Sequence, residues 1–257
     1  MERASSGIPG LDELLDGGIP RGHSVLVTGG CGTGKTVLSL QYLYHGASRG
    51  EPSLYVTFEE SKKKIRAQMK AFNWDVEVLE EKGLFEIYAV DTEDLDEALS
   101  KVKEKTEKQN TKRLVIDSLT TMMEHGVVYT SQISKDMSQA VSSTIFTRRN
   151  QSLTRRDIYQ AIGFINNLNT TCILVSEVGE QSKYLSRDTI SEFASDGVIL
   201  LENSTVLGGL ERLLSVRKMR GSAIKMDILP MSFRETGIEV SSTETQTSKW
   251  AKHRHKK

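Results

Sequence analysis

Cysteine is nearly missing from this chain: Cys31 and Cys172 are the only two in 257 residues. That excludes a disulfide-built secreted scaffold, and two isolated cysteines have no metal-ligand spacing. Net charge is missing too, with 34 basic residues against 34 acidic ones. A balanced chain has no global field steering it toward nucleic acid or a membrane surface, so any basic site has to be local. No apolar run approaches the roughly 18 residues that a membrane span needs. The opening "MERASSGIPG" lacks the apolar core of a signal peptide, and the expected location is the cytoplasm. There is no internal repeat and no metal signal of the Cys/His type.

What is present is an ordinary globular composition, 37% hydrophobic and 26% charged, on a chain long enough to bury a core unaided. After a turn-rich start, "SSGIPGLDELLDGGIPRG", strand-like and helix-like segments alternate. Strands are expected at 24–28, 53–58, 84–90, 113–118 and 171–176. Helices are expected at 35–47, after Ser61, at 93–107 and at 155–168, where apolar residues recur at helical spacing. Strands without intervening helices follow at 197–202, 211–219, 224–229 and near 238–240. The fold class is α/β: a mostly parallel sheet flanked by helices, with antiparallel strands added toward the C-terminus. Residues 1–240 read as one domain, and the polar, basic tail 241–257 as disordered.

"GGCGTGKT" (29–36) fits the phosphate-loop pattern G-x-x-x-x-G-K-[ST]. Gly29, Gly30, Gly32 and Gly34 let the backbone curl so that successive N–H groups point inward as an anion nest. Cys31 and Thr33 stand between them as small residues. The helix that follows, beginning with Lys35, Thr36 and Val37, adds its positive dipole end. Lys35 would reach the outer phosphates and Thr36 would bind Mg²⁺. A nucleotide hydrolase also needs an acid at a neighbouring strand end, and "LVIDS" supplies Asp117 as the second metal-side residue. "YVTFEES" places Glu59 and Glu60 at the end of another strand, where a carboxylate could polarise an attacking water. If strand geometry persists there, the two side chains point to opposite faces and only one can look at the phosphate.

Taken in order, these features resemble the RecA/KaiC superfamily of P-loop ATPases, and the KaiC-like branch most closely. "FNWD" (72–75), "SRDTISEFASDGVILL" (186–201) and "RKMRG" (217–221) are similar to further elements of that branch. The resemblance implies a RecA-like core that binds ATP with Mg²⁺. It implies that Glu59 and Glu60 form the catalytic pair, with Glu59 the first choice of base, and that Asp117 is the magnesium-side acid. It further implies that Lys218 and Arg220 reach the γ-phosphate held by a neighbouring subunit of a homo-oligomeric ring, usually a hexamer.

The chain departs from the family in instructive ways. It has one such domain and lacks the phosphosite segment of the clock proteins. "SAIK" stands where a histidine is common, and "LVSE" ends in Glu177 where strand recombinases carry glutamine. Between Asp117 and the helix at 155 lies a long stretch carrying Arg148 and Arg149, with Arg155 and Arg156 behind it and Tyr129 and Phe146 nearby. Arginines beside aromatics suit a single-stranded nucleic acid, and these four are the candidate contacts to one. The expected activity is slow ATP hydrolysis coupled to a conformational switch. The alternatives are an ATP-gated nucleic-acid repair accessory and an ATP-binding signalling or motility scaffold with little hydrolysis.

Overall fold

The computed structural model describes residues 1–92, 94–126, 155–179, 182–206 and 209–241. The chain opens with β1 (Arg3–Ala4), α1 (Leu11–Leu14) and β2 (Ile19–Pro20), β1 and β2 forming a small antiparallel pair. Alternation then follows: β3 (Ser24–Gly29), α2 (Lys35–Ala47), β4 (Ser53–Thr57), α3 (Lys62–Ala71), α4 (Val76–Glu81), β5 (Phe85–Ala89), α5 (Leu95–Gln109) and β6 (Arg113–Asp117). The second half holds α6 (Leu119–Gly126), α7 (Arg155–Asn166), β7 (Thr171–Glu177), α8 (Ser191–Ala194), β8 (Gly197–Val206), β9 (Gly209–Met219), β10 (Ile228–Arg234) and β11 (Gly237–Val240). Among the described residues, no helix is long and apolar enough to cross a membrane.

Nine of these strands make one sheet in the order β11-β10-β9-β8-β3-β7-β6-β4-β5. The six strands from β8 to β5 pair in parallel, and β9 to β11 extend the sheet antiparallel. That is the expected architecture of a RecA-like core. The parallel strands are apolar runs because both faces are covered. In β3, Val25 and Val27 face one core with Leu11, Leu40, Trp74 and Ile238, while Leu26 faces the other with Leu54, Leu114, Ile116 and Ile162.

Helix starts follow from capping side chains. Ser61 accepts the Lys64 N–H at the head of α3, and Asp94 accepts those of Asp96 and Glu97 at the head of α5. The α5 helix runs two residues past the expected stop, to Gln109, and Asn110 beyond it takes the left-handed conformation (φ 52°) that ends it. The largest shift from expectation is β10, which begins at Ile228, not residue 224, and runs through Pro230. Residues ahead of it cross toward the leading segment, where the Lys225 N–H donates to the Leu14 carbonyl.

One buried cation ties the frame together. The Arg113 side chain, 2% exposed, bonds Glu51 at 2.5 Å and the carbonyls of Ser5 and Tyr42 at 2.8 and 3.0 Å. Its guanidinium lies over the Tyr42 ring, and a Cβ at Gly46 would stand 2.2 Å from its Nε. Only glycine admits this packing between α2 and β6.

Candidate active site

The loop from Gly29 to Lys35 joins the C-terminal end of β3 to α2 at the centre of the sheet. Gly32 and Gly34 have φ of +72° and +105°, a region open to glycine, and they curl the chain as the motif requires. Space beyond Gly32 is open: nothing lies within 4 Å of where its Cβ would be. Lys35 is 8% exposed and turns its Nζ back across the loop, donating to the Gly29 and Gly30 carbonyls at 3.0 and 2.8 Å. Thr33 is buried and bonds the Gly30 carbonyl, Cys31 is exposed, and Val37 is half-buried in the first turn of α2.

Thr36 and Asp117 meet at the head of α2. The Thr36 hydroxyl donates to Asp117 Oδ2 at 2.9 Å, and the buried Tyr55 hydroxyl donates to the same oxygen at 2.6 Å. Burial pushes the Asp117 carboxyl above its ordinary value. The two hydroxyl bonds pull it back, while the charge of Glu59 adds to the rise. Among the described residues, no group of three or more His, Cys, Asp or Glu could hold a metal alone. One hydroxyl and one carboxylate suit Mg²⁺, which takes few protein ligands and completes its shell with phosphate and water oxygens.

Glu59 and Glu60 are separated, though not in the manner expected. Strand β4 stops at Thr57, whose hydroxyl accepts the N–H groups of both Glu59 (3.3 Å) and Glu60 (3.0 Å). The chain therefore turns, and the alternation of a strand does not apply. Glu59 swings to the start of α6, beside Asp117, where its Oε1 accepts from Ser118 Oγ at 2.9 Å and from Thr121 Oγ1. Glu60 swings to α3, where Gln68 Nε2 donates to it at 2.7 Å.

Lys218 and Arg220 are not brought to this loop. Lys218 pairs with Val198, and Met219 with Gly197, which lies beside Val25 near the start of β3; the loop leaves the far end of that strand at Gly29. Arg220 is level with Ser24, five residues or roughly 16 Å from Gly29 along the strand. Both cations point to the segment 192–196. Arg155 and Arg156 stand exposed in the first turn of α7, and Arg148 and Arg149 lie outside the described residues.

Several neighbours of the loop escape the reading of the sequence. Tyr55 reads as one more apolar strand residue, and Ser118 and Thr121 as an unremarked polar turn. Arg212, on β9, donates its Nε to the Gly32 carbonyl at 3.2 Å and lies 4.7 Å over the Phe233 ring. Phe233 in turn abuts Gly34, where a Cβ would meet its Cζ at 2.8 Å. The hydroxyls of "DSLTT" were the one legible hint, since three of them cluster directly after a strand-ending acid.

Known proteins resemble this chain along most of its length. A family model described as "ATPase: KaiC" matches residues 4–245. A UPF0273 protein of Aeropyrum pernix is 34% identical over 240 residues, covering 93% of this chain and 94% of its own. The circadian clock oscillator protein KaiC of Prochlorococcus marinus is 30% identical over 252 residues; the match covers 93% of this chain and 46% of that protein. The crystal structure of a KaiC-like protein from Pyrococcus horikoshii OT3 superposes with a TM-score of 0.76 at 33% identity, covering 94% of this chain and 99% of that one. With a nine-stranded sheet of the right order of parallel and antiparallel strands and a phosphate loop at its centre, the chain belongs to the KaiC-like branch of the RecA superfamily of P-loop ATPases.

Proposed function

We propose that the chain binds ATP with Mg²⁺ at the loop 29–37 and hydrolyses it slowly in the cytoplasm, using the nucleotide state as a conformational switch. The observation that carries this reading is the convergence of Lys35, Thr36, Asp117 and Glu59 beyond the C-terminal ends of β3, β6 and β4, around a loop whose backbone is free to cradle phosphate. The loop amides and Lys35 would hold the phosphates, and Thr36 and Asp117 would hold the metal. Bound there, Mg²⁺ neutralises charge on the phosphate oxygens. Glu59, held by two hydroxyls next to Asp117, would orient and deprotonate water. Glu60 is occupied with Gln68 on the other side of the turn. Catalysis of this type is positioning plus charge neutralisation.

Among the described residues, Lys35 and Arg212 bring cations to the loop, while Lys218 and Arg220 lie at the opposite end of the strands. We propose that Lys218 and Arg220 of a neighbouring copy in a homo-oligomeric ring add charge at the γ-phosphate. A hexamer is the ring the family resemblance implies. The test is turnover and nucleotide affinity in three variants. Lys35→Ala is expected to lose both. Glu59→Gln is expected to keep ATP binding and lose turnover by roughly 10²–10⁴, the usual worth of a positioned base, while Glu60→Gln stays within a few-fold of wild type. Equal losses in the two glutamine variants would remove Glu59 from the role.

A further inference from the structure

We infer that Thr121 is a positioning residue for the base: its hydroxyl, with that of Ser118, ties one oxygen of Glu59 to the head of α6 and leaves the other oxygen to the water. This rests on the reading of Glu59 above and adds a residue that the phosphate-loop pattern does not contain.

A carboxylate only accepts hydrogen bonds, so a hydroxyl oxygen pressed against it must bring the proton. Glu59 Oε1 meets two such oxygens, Ser118 Oγ at 2.9 Å and Thr121 Oγ1. Both hydroxyls therefore donate to the same atom. Ser118 Oγ is itself held, because it accepts the Thr121 N–H at 3.1 Å. Thr121 thus grips Glu59 directly and steadies the second grip from its backbone. Among the described residues, no hydrogen bond reaches Oε2 of Glu59, and the residue is exposed. One oxygen is fastened and the other is open, the arrangement by which a base meets a water from a fixed direction.

The fastening point is rigid. Thr121 lies in the first turn of α6, between Leu119 and Met122, both fully buried in one core with Ile116 and Leu174. The Met122 N–H donates to the Ser118 carbonyl at 2.9 Å and closes that turn. Thr120 accepts the Glu177 N–H at 3.1 Å and pins the same turn to the end of β7. The single proton of the Thr121 hydroxyl goes to Glu59, so the residue acts through the glutamate.

The size of the effect follows from what an untethered glutamate would do. Three staggered wells at each of χ1 and χ2 give roughly nine arrangements. Exposed at a turn, Glu59 has little packing to select one of them. A base in place for about one-ninth of the time works at roughly a tenth of its rate.

Two measurements on the full chain test this. The first is steady-state ATP turnover of wild type, Thr121→Val, Thr121→Ser and Glu59→Gln. Valine keeps the shape and loses the donor, while serine keeps the donor. Thr121→Val is expected to lower kcat roughly 10-fold with KM for ATP unchanged, and Thr121→Ser to recover most of the rate. The second is melting of the nucleotide-free chain. There Thr121→Val should cost roughly 1–4 °C in the wild-type background. On a Glu59→Ala background it should cost nothing measurable, because the hydroxyl then has no carboxylate to hold. Should the valine variant not fold, Thr121→Ala takes its place in both measurements. A wild-type kcat in Thr121→Val overturns the inference, and leaves Glu59 standing as the base if Glu59→Gln is still slow. An equal loss in the valine and serine variants overturns it too, as does a melting cost that is the same with and without Glu59. The underlying reading fails separately. If Glu59→Gln turns over at the wild-type rate, or the wild-type chain binds ATP without turning it over, Thr121 has no base to position.

Discussion

Tyr55→Phe removes one atom from the site and leaves the packing of β4 untouched. The Tyr55 ring is 1% exposed, and its hydroxyl donates to Asp117 Oδ2 at 2.6 Å, beside the 2.9 Å bond from Thr36. A hydrogen bond to a charged group contributes roughly 1.5–3 kcal/mol. In a chain of this size each kcal/mol moves the melting temperature by about 2–4 °C, so the variant should melt roughly 3–12 °C lower at neutral pH. The pH dependence carries the sharper statement. Burial holds the folded Asp117 pKa above its ordinary 3.8. Between that value and the raised one, the folded state binds more protons than the unfolded state. The contribution of this group to stability is therefore fully present below 3.8 and is lost as pH rises through the folded pKa. Taking away a donor to the carboxylate raises the folded pKa further and widens that window upward. The penalty of Tyr55→Phe should be larger at pH 7 than at pH 4, shrinking as the folded Asp117 carboxyl takes up its proton. Urea unfolding of both chains across that range, without nucleotide or magnesium, is the assay. A loss below about 0.5 kcal/mol, or one that is the same at every pH, would refute the account of Asp117 as an under-compensated buried carboxylate.

Two further outcomes follow from the same geometry. Asp117→Asn should abolish magnesium-dependent turnover yet raise the stability of the metal-free chain by roughly 0.5–2 kcal/mol at pH 7, which thermal melting and turnover assays would show together. Gly34→Ala combines a left-handed backbone (φ +105°) with a Cβ 2.8 Å from the Phe233 ring, costing roughly 1–2 kcal/mol for the conformation and about 1–3 for the overpacking; melting should fall accordingly, with nucleotide affinity lost alongside.

The loop and its flanks were the most legible part of the chain, because every cue there is local. An apolar run, four glycines and apolar residues at helical spacing describe β3, the loop and α2 without reference to anything distant. Asp117 was legible for the same reason, as an acid ending an apolar strand. The fate of Glu59 and Glu60 was not, because it turns on the Thr57 hydroxyl, which stops β4 and takes both backbone N–H groups. Tyr55 was hidden because its ring is a core residue and only its last atom belongs to the site. What engages Lys218 was hidden more deeply: its partners are backbone carbonyls, which are the same whatever residues carry them. Helices α4 and α6 escaped detection because they are short and their apolar faces form only against elements distant in sequence.

The position of β3 in the sheet has a consequence for how the molecule is made. This strand is flanked by β7 and β8, and Gly29 is opposite Glu177 and Leu201. Neither neighbour exists when residues 24–35 leave the ribosome. At about 5–20 residues per second, roughly 170 further residues take on the order of 10–35 s to synthesise. Throughout that interval an apolar strand and a glycine loop with no sheet around them must remain soluble. β4, β5 and β6 can pair among themselves as they emerge, but the central strand waits for the last third of the chain. The first functional segment to be translated is thus among the last to take shape, and a chain halted before β8 would display its phosphate loop on an open, apolar sheet edge.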